Sequence, residues 1–267
     1  MDFRTFEHGR WEEITEAYNR SIGPLTRDAI APLLDGLGAR AGLRLLDVAT
    51  GPGDLAAEAV ARGASSIGLD FSERMIALAR TVHSASFPVV AGDAEHLPFA
   101  ADSFDLVAIN FGVLHFPHAD DALAQAWRVL KRGGLLGLTA WKQPEPGQGL
   151  AMLNEAVQQY GAVAVDLPEG PGFFRFGDEA ECARSLGAAG FRRVSSLPLR
   201  LEWVLPSAEA FFTALFDATV RGGAILQRQP ADAIERIRAA MLKACDRYRD
   251  GSTLRIPMPA LLTVGEK

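Results

Sequence analysis

The chain has 267 residues, 48% of them hydrophobic, with 33 acidic and 27 basic side chains and a formal net charge of −6. That length allows one large domain with an appended element and a sizeable core. The mildly acidic balance, without a run of lysine or arginine, argues against a nucleic-acid partner, because phosphate binding needs clustered cations. The first four residues include two charges, and no apolar run approaches membrane-spanning length, so we expect neither a signal peptide nor a membrane anchor.

The chain has two cysteines, Cys182 and Cys245, which lie far apart and outside any metal-binding spacing. We expect both to be reduced, buried core residues of a cytoplasmic protein, with no metal site.

In chain order, the hydrophobic periodicity predicts two N-terminal helices followed by alternating strands and helices. The predicted elements are helices at 10–20 and 25–37, a strand at 43–49, a helix at 54–62, a strand at 66–70, a helix capped by Ser72 and ending near 83, strands at 87–91 and 104–111, a helix at 120–130 and a strand at 135–141. Strands and helices that alternate at this spacing imply right-handed crossovers and a parallel sheet.

After the fifth strand the pattern loosens. The sequence predicts helices at 150–160 and 178–186, a strand at 193–204, a helical region at 206–248 and a short last strand at 260–264. We expect breaks in the helical region at Gly222-Gly223 and at Pro230. A loop at 167–177, rich in proline and glycine, carries three phenylalanines.

The segment at 45–55, Leu-Leu-Asp-Val-Ala-Thr-Gly-Pro-Gly-Asp-Leu, joins the first strand to its helix. Gly51 and Gly53 allow a sharp turn and a close approach of a ligand, and the N–H groups of the helix start favour electron-rich atoms. This pattern also fits the loose dinucleotide-binding motif. Asp47 would repel a pyrophosphate and attract an ammonium group. Asp70 ends the second strand, where it can accept hydrogen bonds from ribose hydroxyls, so it indicates an adenosine-type ligand without choosing between cofactors.

Four segments in order resemble the class I S-adenosylmethionine-dependent methyltransferases, in particular the small-molecule branch that includes ubiquinone/menaquinone methyltransferases. They are the segment at 45–55, Ile-Gly-Leu-Asp-Phe-Ser-Glu-Arg-Met at 67–75, Val-Ala-Gly-Asp-Ala-Glu-His-Leu-Pro-Phe-Ala-Ala-Asp-Ser-Phe-Asp at 90–105 and Val-Leu-Lys-Arg-Gly-Gly-Leu-Leu-Gly-Leu at 129–138. The chain has Ala49 where the family usually has glycine, and Arg132 in a predicted turn where it often has proline. We expect both departures to be tolerated.

The resemblance implies an α/β fold with a doubly wound, mostly parallel, seven-stranded Rossmann-like sheet and an antiparallel C-terminal strand. We predict that residues 1–38 are helices forming part of a lid, and that 39–205 and 254–267 form the methyltransferase core. About fifty residues separate the last two predicted strands, far more than a hairpin loop needs. We therefore interpret 206–253 as an inserted helical cap that contributes to substrate binding.

The same resemblance implies S-adenosyl-L-methionine as cofactor and S-adenosyl-L-homocysteine as product. Asp47, Ala49, Gly51 and Gly53 would surround the methionine end, with Tyr18 near its carboxylate. Asp70 would hold the ribose and Asp93 the adenine amine. Phe71 and Met75 would lie against the adenine, and Ala94 would offer its backbone N–H to the adenine ring. Asn110 and Phe111 would lie beneath the sulfonium.

The implied reaction is an in-line displacement in which a nucleophile of the substrate attacks the methyl group. An oxygen nucleophile must also lose a proton, and His115, just after the fourth strand, is the best-placed candidate base; a packing role is the alternative. We expect His118 to be a solvated cap, and His83 and His96 to lie on the surface, while the sequence does not place His8.

Aromatic residues predict a small, apolar or aromatic substrate. The candidates are Trp11, Trp141, Phe173, Phe174 and Phe176. Arg175 among them is either an anchor for an acidic group or a solvated side chain. Two other functions stay open: a cofactor-binding protein without methyl transfer, such as a cyclase or a sensor, and an NAD(P)-dependent oxidoreductase, in which Asp47 and the Asp93 segment would have no role. The sequence does not set the oligomeric state.

Overall fold

The computed structural model describes residues 1–83, 86–162 and 164–267, and within these ranges eight strands form one mixed sheet. The strands are β1 (Arg44–Val48), β2 (Ser65–Asp70), β3 (Val89–Ala91), β4 (Phe104–Asn110), β5 (Leu130–Trp141), β6 (Arg192–Leu205), β7 (Arg249–Asp250) and β8 (Thr253–Glu266). Their order is β3-β2-β1-β4-β5-β8-β6, with β7 paired to β8. Neighbours among β1–β5 are parallel, and β8 runs antiparallel to its three partners. The predicted Rossmann-like sheet is confirmed, with β7 added to the seven predicted strands.

Helices cover both faces of this sheet. They are α1 (Phe3–Ser21), α2 (Gly23–Arg27), α3 (Ile30–Gly36), α4 (Asp54–Ala61), α5 (Glu73–Val82), α6 (Ala119–Val129), α7 (Gly149–Tyr160), α8 (Glu179–Ala188), α9 (Ala208–Ala218), α10 (Arg221–Gln227) and α11 (Ala231–Ala244). Among the described residues, no helix is both long and apolar enough to cross a membrane.

Alternation along the strands divides the core in two. Leu45 packs with α3, α4 and the helices after β6, whereas the next residue, Leu46, packs with α6 and α8 on the opposite face. Successive strand side chains point to opposite faces, so a strand buried on both sides is apolar throughout. This burial explains the nearly continuous apolar runs of the central strands.

The N-terminal helices differ from the prediction. α1 begins at Phe3 rather than near Arg10, because the Asp2 side chain caps it by accepting a hydrogen bond from the Thr5 N–H at 2.8 Å. Gly23 does not lie in a linker but begins α2, with a proline in the first turn. α1 therefore gains two helical turns, and these turns carry residues that reach the site described below.

The last strand, β8, has 14 residues instead of the five predicted. Its prolines interrupt the strand-like sequence pattern, so the first part of the strand resembles a loop. Pro257 and Pro259 lie in the part of β8 that extends past its pairing with β5, which ends at Ala260. A proline lacks a backbone N–H and is tolerated in a strand where one edge needs no such donor.

Two further boundaries differ from the prediction. Gly222 and Gly223 lie inside α10 rather than breaking a helix, whereas Pro230 does mark a boundary, as the residue that precedes α11. Arg132 is not in a turn but within β5, which begins at Leu130, and the register of β5 against β4 shifts after Phe104.

Candidate active site

A cleft of about 720 Å³ lies at the carboxyl ends of β1, β2 and β4. Most of the predicted cofactor residues line it, together with Trp11 and His115, namely Tyr18, Ala49, Gly51, Asp70, Phe71, Met75, Asp93, Ala94, Asn110 and Phe111. In parallel α/β sheets, ligands bind at this edge, where the order of the strands reverses. The strand order places the reversal between β1 and β4.

The glycine turn after β1 is open toward this cleft at one residue only. Gly51 has a φ of +53°, and a Cβ added there would have no protein atom within 4 Å, so it would occupy space in the cleft. Gly53 has a φ of +88°, and a Cβ there would lie 2.7 Å from the Phe87 ring. Gly51 thus fits the predicted bare backbone against a cofactor, whereas Gly53 permits close packing below the turn.

Ala49 carries backbone strain that the sequence does not reveal. Its φ is +58°, in the left-handed region that disfavours residues with a Cβ. Its methyl group lines the cleft and also packs against Gly112, where an added Cβ would lie 2.7 Å away. The alanine is accommodated because the neighbouring backbone leaves room for it.

Asp47 lies below the cleft rather than in its wall. The side chain is buried and accepts hydrogen bonds from the Thr50 hydroxyl at 2.6 Å and the Ala56 N–H at 3.2 Å. Burial raises the pKa of Asp47 to about 7, although both hydrogen bonds oppose that shift. The carboxyl therefore stabilises the turn from below. Direct contact with an ammonium group does not fit this position, and a contact through a water molecule, the other form of the prediction, stays a prediction.

Asp70 connects the ends of β1 and β2. One carboxylate oxygen accepts a hydrogen bond from the Gly51 N–H at 2.8 Å and the other from the Ser72 N–H at 2.9 Å. A carboxylate has about four lone-pair sites, so acceptor capacity remains for ribose hydroxyls. Burial raises the pKa of Asp70 to about 6, against the effect of its backbone hydrogen bonds.

The predicted adenine end of the cleft is partly closed by α1. Arg4 forms ion pairs with Asp93 and Glu95, and the His8 ring meets the Phe71 ring edge-on at 5.3 Å. Asp93 also accepts a hydrogen bond from the Glu95 N–H at 2.9 Å, which caps a short 3-10 helix. Arg4 was not predicted from the sequence, because it lies 89 positions from Asp93 and no local pattern indicates the pair.

The residues that end β4 are held from two sides. The Asn110 amide donates a hydrogen bond to the Thr26 carbonyl at 3.1 Å and accepts one from the Thr139 hydroxyl at 2.7 Å. Phe111 has a φ of +54° and stacks on Trp141 with ring centroids 4.0 Å apart. The stacked pair forms a flat aromatic surface at the base of the site.

A second, larger cleft of about 1120 Å³ adjoins the first and shares four lining residues with it, namely Trp11, Tyr18, Phe111 and His115. Its other lining residues are mostly apolar and include the predicted substrate residues Trp141, Phe173 and Phe174. Trp203 of β6 also lines it and was missed, because strand alternation alone does not show which side chain reaches a cleft. Seven aromatic side chains thus face this second space.

Arg175 and Phe176 line neither cleft. The Arg175 guanidinium binds Glu181 at 2.6 Å and Asp120 at 2.8 Å, and it lies over the Phe176 ring, which is buried in the core. The two residues anchor the loop to α6 and α8, so the predicted contact of Arg175 with an acidic substrate group does not fit its position.

His115 ends a short 3-10 helix, Val113–His115, and its ring lines both clefts. Its Nδ1 lies 2.7 Å from a carboxylate oxygen of Glu7, and its ring meets the Trp11 ring edge-on at 4.9 Å. Glu7 is fully buried, and its other oxygen lies 3.4 Å from the Arg221 Nε. Neither Glu7 nor Arg221 was predicted from the sequence, because only the tertiary fold brings them to His115.

The other histidines lie outside this contact. The His96 side chain is largely exposed, as predicted, whereas that of His83 is mostly buried, with its Nε2 3.4 Å from Asp54, which corrects the surface prediction. The exposed His118 precedes α6 but makes no side-chain cap, and His8 lies against Phe71.

Comparison with known proteins identifies the family to which this fold and site are similar. Residues 46–138 match a methyltransferase domain model. A ubiquinone/menaquinone biosynthesis C-methyltransferase of Dinoroseobacter shibae is 41% identical over 123 residues, covering 43% of this chain and 49% of that protein. Residues 46–138 therefore form a methyltransferase domain, similar to those of class I S-adenosylmethionine-dependent methyltransferases. The chain spans about half the length of several of the curated relatives it matches.

Solved structures share the fold at low sequence identity. A Haemonchus contortus phosphoethanolamine N-methyltransferase 2, in complex with S-adenosylhomocysteine, has a TM-score of 0.61 and 19% identity, covering 100% of this chain and 60% of that one. The [4+2]-cyclase SpnF has a TM-score of 0.56 and 20% identity, covering 90% and 80%. At these identities the likeness shows the fold alone. The domain match and the curated relatives confirm the predicted methyltransferase family and, with it, the S-adenosylmethionine cofactor, and they do not favour the cyclase, sensor or NAD(P)-dependent alternatives.

Asp70→Ala should weaken the binding of S-adenosylhomocysteine about 10- to 100-fold, because two ribose hydroxyls lose a charged acceptor worth roughly 1.5–3 kcal/mol. For the wild-type protein, affinity should fall as the pH is lowered through about 6, where Asp70 takes up a proton. Calorimetric titrations measure both effects. Asp35→Ala, which removes a carboxylate that pairs with Arg62 on the surface, is the matched control. Equal affinities in both folded variants would show that another group holds the ribose.

Proposed function

We propose that this protein transfers a methyl group from S-adenosylmethionine to a small, largely apolar aromatic molecule that carries an ionisable hydroxyl group. The observation that supports this most directly is the junction of two clefts at His115. One cleft has the glycine turn and acids of an adenosyl site, and the other has aromatic walls large enough for a ring system. A methyl group at the boundary would face an acceptor in the second cleft.

The cofactor supplies an electrophilic methyl group on its sulfonium. Gly51 would leave room for the methionine moiety, Asp70 would accept hydrogen bonds from the ribose, and Phe71 and Met75 would cover the adenine. Asp93 would receive the adenine amine in exchange for part of its pairing with Arg4. The Phe111–Trp141 stack would exclude water beneath the reacting atoms, and fixed orientation can contribute about 7–11 kcal/mol to such a displacement.

The lining of the second cleft favours a neutral acceptor. His115 and Arg221 are its ionisable side chains other than Tyr18, and the Arg221 guanidinium is already engaged by Glu7 and by the carbonyls of Pro171 and Leu114 at 2.8 and 2.9 Å. A charged acceptor would therefore lack a free countercharge among the described lining residues. The quinone-pathway methyltransferases among the relatives agree with a hydroxylated ring of the quinol type.

His115 would take the proton of the acceptor hydroxyl. An ionised phenolic oxygen is the better nucleophile for transfer to oxygen, and it also donates electron density to the ring for transfer to carbon. The proposal therefore covers both outcomes with one proton acceptor. A small-molecule acceptor also agrees with the absence of basic clusters in the sequence, and we place the protein in the cytoplasm, without a nucleic-acid or membrane partner.

The wild-type protein should methylate apolar quinols and catechols but not phosphorylated amines or anionic aromatic acids of similar size. Incubation with S-adenosylmethionine and a panel of such acceptors, read by mass spectrometry, tests this selectivity. Gly51→Val, whose side chain would enter the cofactor cleft, is the inactive control. Methylation confined to the anionic acceptors would contradict the proposed substrate class.

His115→Asn should lower turnover by about two to four orders of magnitude, the usual contribution of a general base, while the affinity for S-adenosylhomocysteine should barely change. In the wild-type protein, turnover should fall at acidic pH, because a protonated ring cannot accept the proton of the acceptor hydroxyl. His118→Asn is the matched control, because it makes the same substitution at an exposed histidine whose side chain does not cap a helix. Full turnover in His115→Asn would leave the ring with a packing role, and the substrate would then ionise without it.

A further inference from the structure

We infer that Glu7 of the N-terminal helix is a positioning residue that holds His115 in the tautomer needed for proton abstraction, with Arg221 as the countercharge of its carboxylate. The inference rests on the proposed role of His115 as a base. It adds a catalytic contribution from α1, which otherwise only covers the site.

The first supporting observation is the division of the Glu7 carboxylate between two partners. One oxygen lies 2.7 Å from His115 Nδ1 and the other 3.4 Å from the Arg221 Nε. A fully buried carboxylate is tolerated when it is paired and hydrogen-bonded. Because an ionised carboxylate only accepts hydrogen bonds, His115 must present Nδ1–H to it. In the neutral ring the lone pair then lies on Nε2, the nitrogen left for an acceptor hydroxyl.

The second observation is that Arg221 fixes the backbone beside the same histidine. Its guanidinium donates to the Leu114 carbonyl at 2.9 Å and to the Pro171 carbonyl at 2.8 Å. The rings of Phe3 and Phe173 lie 4.7 and 5.7 Å from its central carbon. Arg221 of α10 therefore holds both the carboxylate and the 3-10 turn that carries the imidazole, so three segments distant in sequence set the direction of one ring.

The charges that face His115 come from these elements and from the end of β2. Glu7 contributes a negative charge from α1, Arg221 a positive charge from α10, and Asp70 a further negative charge across the cofactor cleft. The other two charged residues of that cleft, Arg4 and Asp93, pair with each other. Replacing Glu7 with a neutral residue would remove the negative charge that contacts the ring, so a positive charge on the ring would be less favourable.

Glu7→Gln keeps the size of the side chain and removes its charge. We expect turnover at saturating substrate to fall about 10- to 100-fold, the size of the effect seen when the hydrogen-bond partner of a metal-bound histidine is lost. The acid limb of the pH–rate profile should move to lower pH, and KM and S-adenosylhomocysteine affinity should stay close to those of the wild-type protein. A double-mutant cycle with His115→Asn should be strongly non-additive, because Glu7 acts through that ring.

Glu12→Gln is the matched control on the same helix. The Glu12 carboxylate accepts hydrogen bonds from the Ser72 hydroxyl at 2.8 Å and from the Arg74 N–H at 3.4 Å, so this variant weakens the docking of α1 without touching His115. Its pH–rate profile should keep the acid limb of the wild-type protein. If both variants lose turnover alike with unmoved acid limbs, Glu7 only docks the helix and the inference is wrong.

A second measurement does not depend on methyl transfer. Nitrogen NMR of the imidazole rings in the wild-type protein, with His115 assigned from the signal lost in His115→Asn, should show hydrogen on Nδ1 of the neutral ring. Hydrogen on Nε2 would overturn the inference even if Glu7→Gln does not fold. The Nδ1–H tautomer without methylation of any quinol or catechol would contradict the proposed function and leave the positioning role of Glu7 supported.

Discussion

The site depends on the hydrogen bond between the Asp70 carboxylate and the Gly51 N–H. This bond ties the turn after β1 to the end of β2, and these are the two strand ends between which an adenosyl group would lie. It depends on the positive φ of Gly51, which glycine adopts without strain, and on a carboxylate buried at the end of the neighbouring strand. Asp47 supports the same turn from below, through Thr50 and the first turn of α4. The geometry of the cofactor cleft follows from these backbone constraints more than from any single wall residue.

The other walls of the two clefts come from the N-terminal helices and from the helices after β6. α1 supplies Arg4, Trp11 and Tyr18 to the wall of the cofactor cleft, and α10 supplies Arg221 to the second one. Glu7 connects them to the turn after β4. In the proposed function, cofactor enclosure, acceptor binding and the orientation of His115 would therefore depend on the same packing of α1 against the helices after β6. We propose that residues 1–38 and 206–253 act together as the cover of the site.

How much could be predicted from the sequence differs between these parts. The central strands, the turn at 51–53 and the Ser72 cap were predicted, because each depends on neighbours within a few residues. The predicted start of α1 was wrong, although Asp2 is a residue type that commonly caps helices. The predicted last strand was shorter than β8, because the prolines of β8 are typical of a loop. The contact of Glu7 with His115 spans 108 residues, and no periodicity or spacing in the sequence contains it. For Arg175, the sequence suggested a contact that the structure does not have. A loop arginine among phenylalanines is typical of a ligand contact, whereas this side chain binds Asp120 and Glu181.

The most direct test of the central claim, an adenosyl–amino-acid cleft at the ends of β1 and β2, is a pair of calorimetric titrations of the wild-type protein. S-adenosylhomocysteine should bind with micromolar or tighter affinity, and NADH should produce no binding heat at the same concentrations. Micromolar binding of NADH without binding of S-adenosylhomocysteine would contradict the account of the site and of its chemistry.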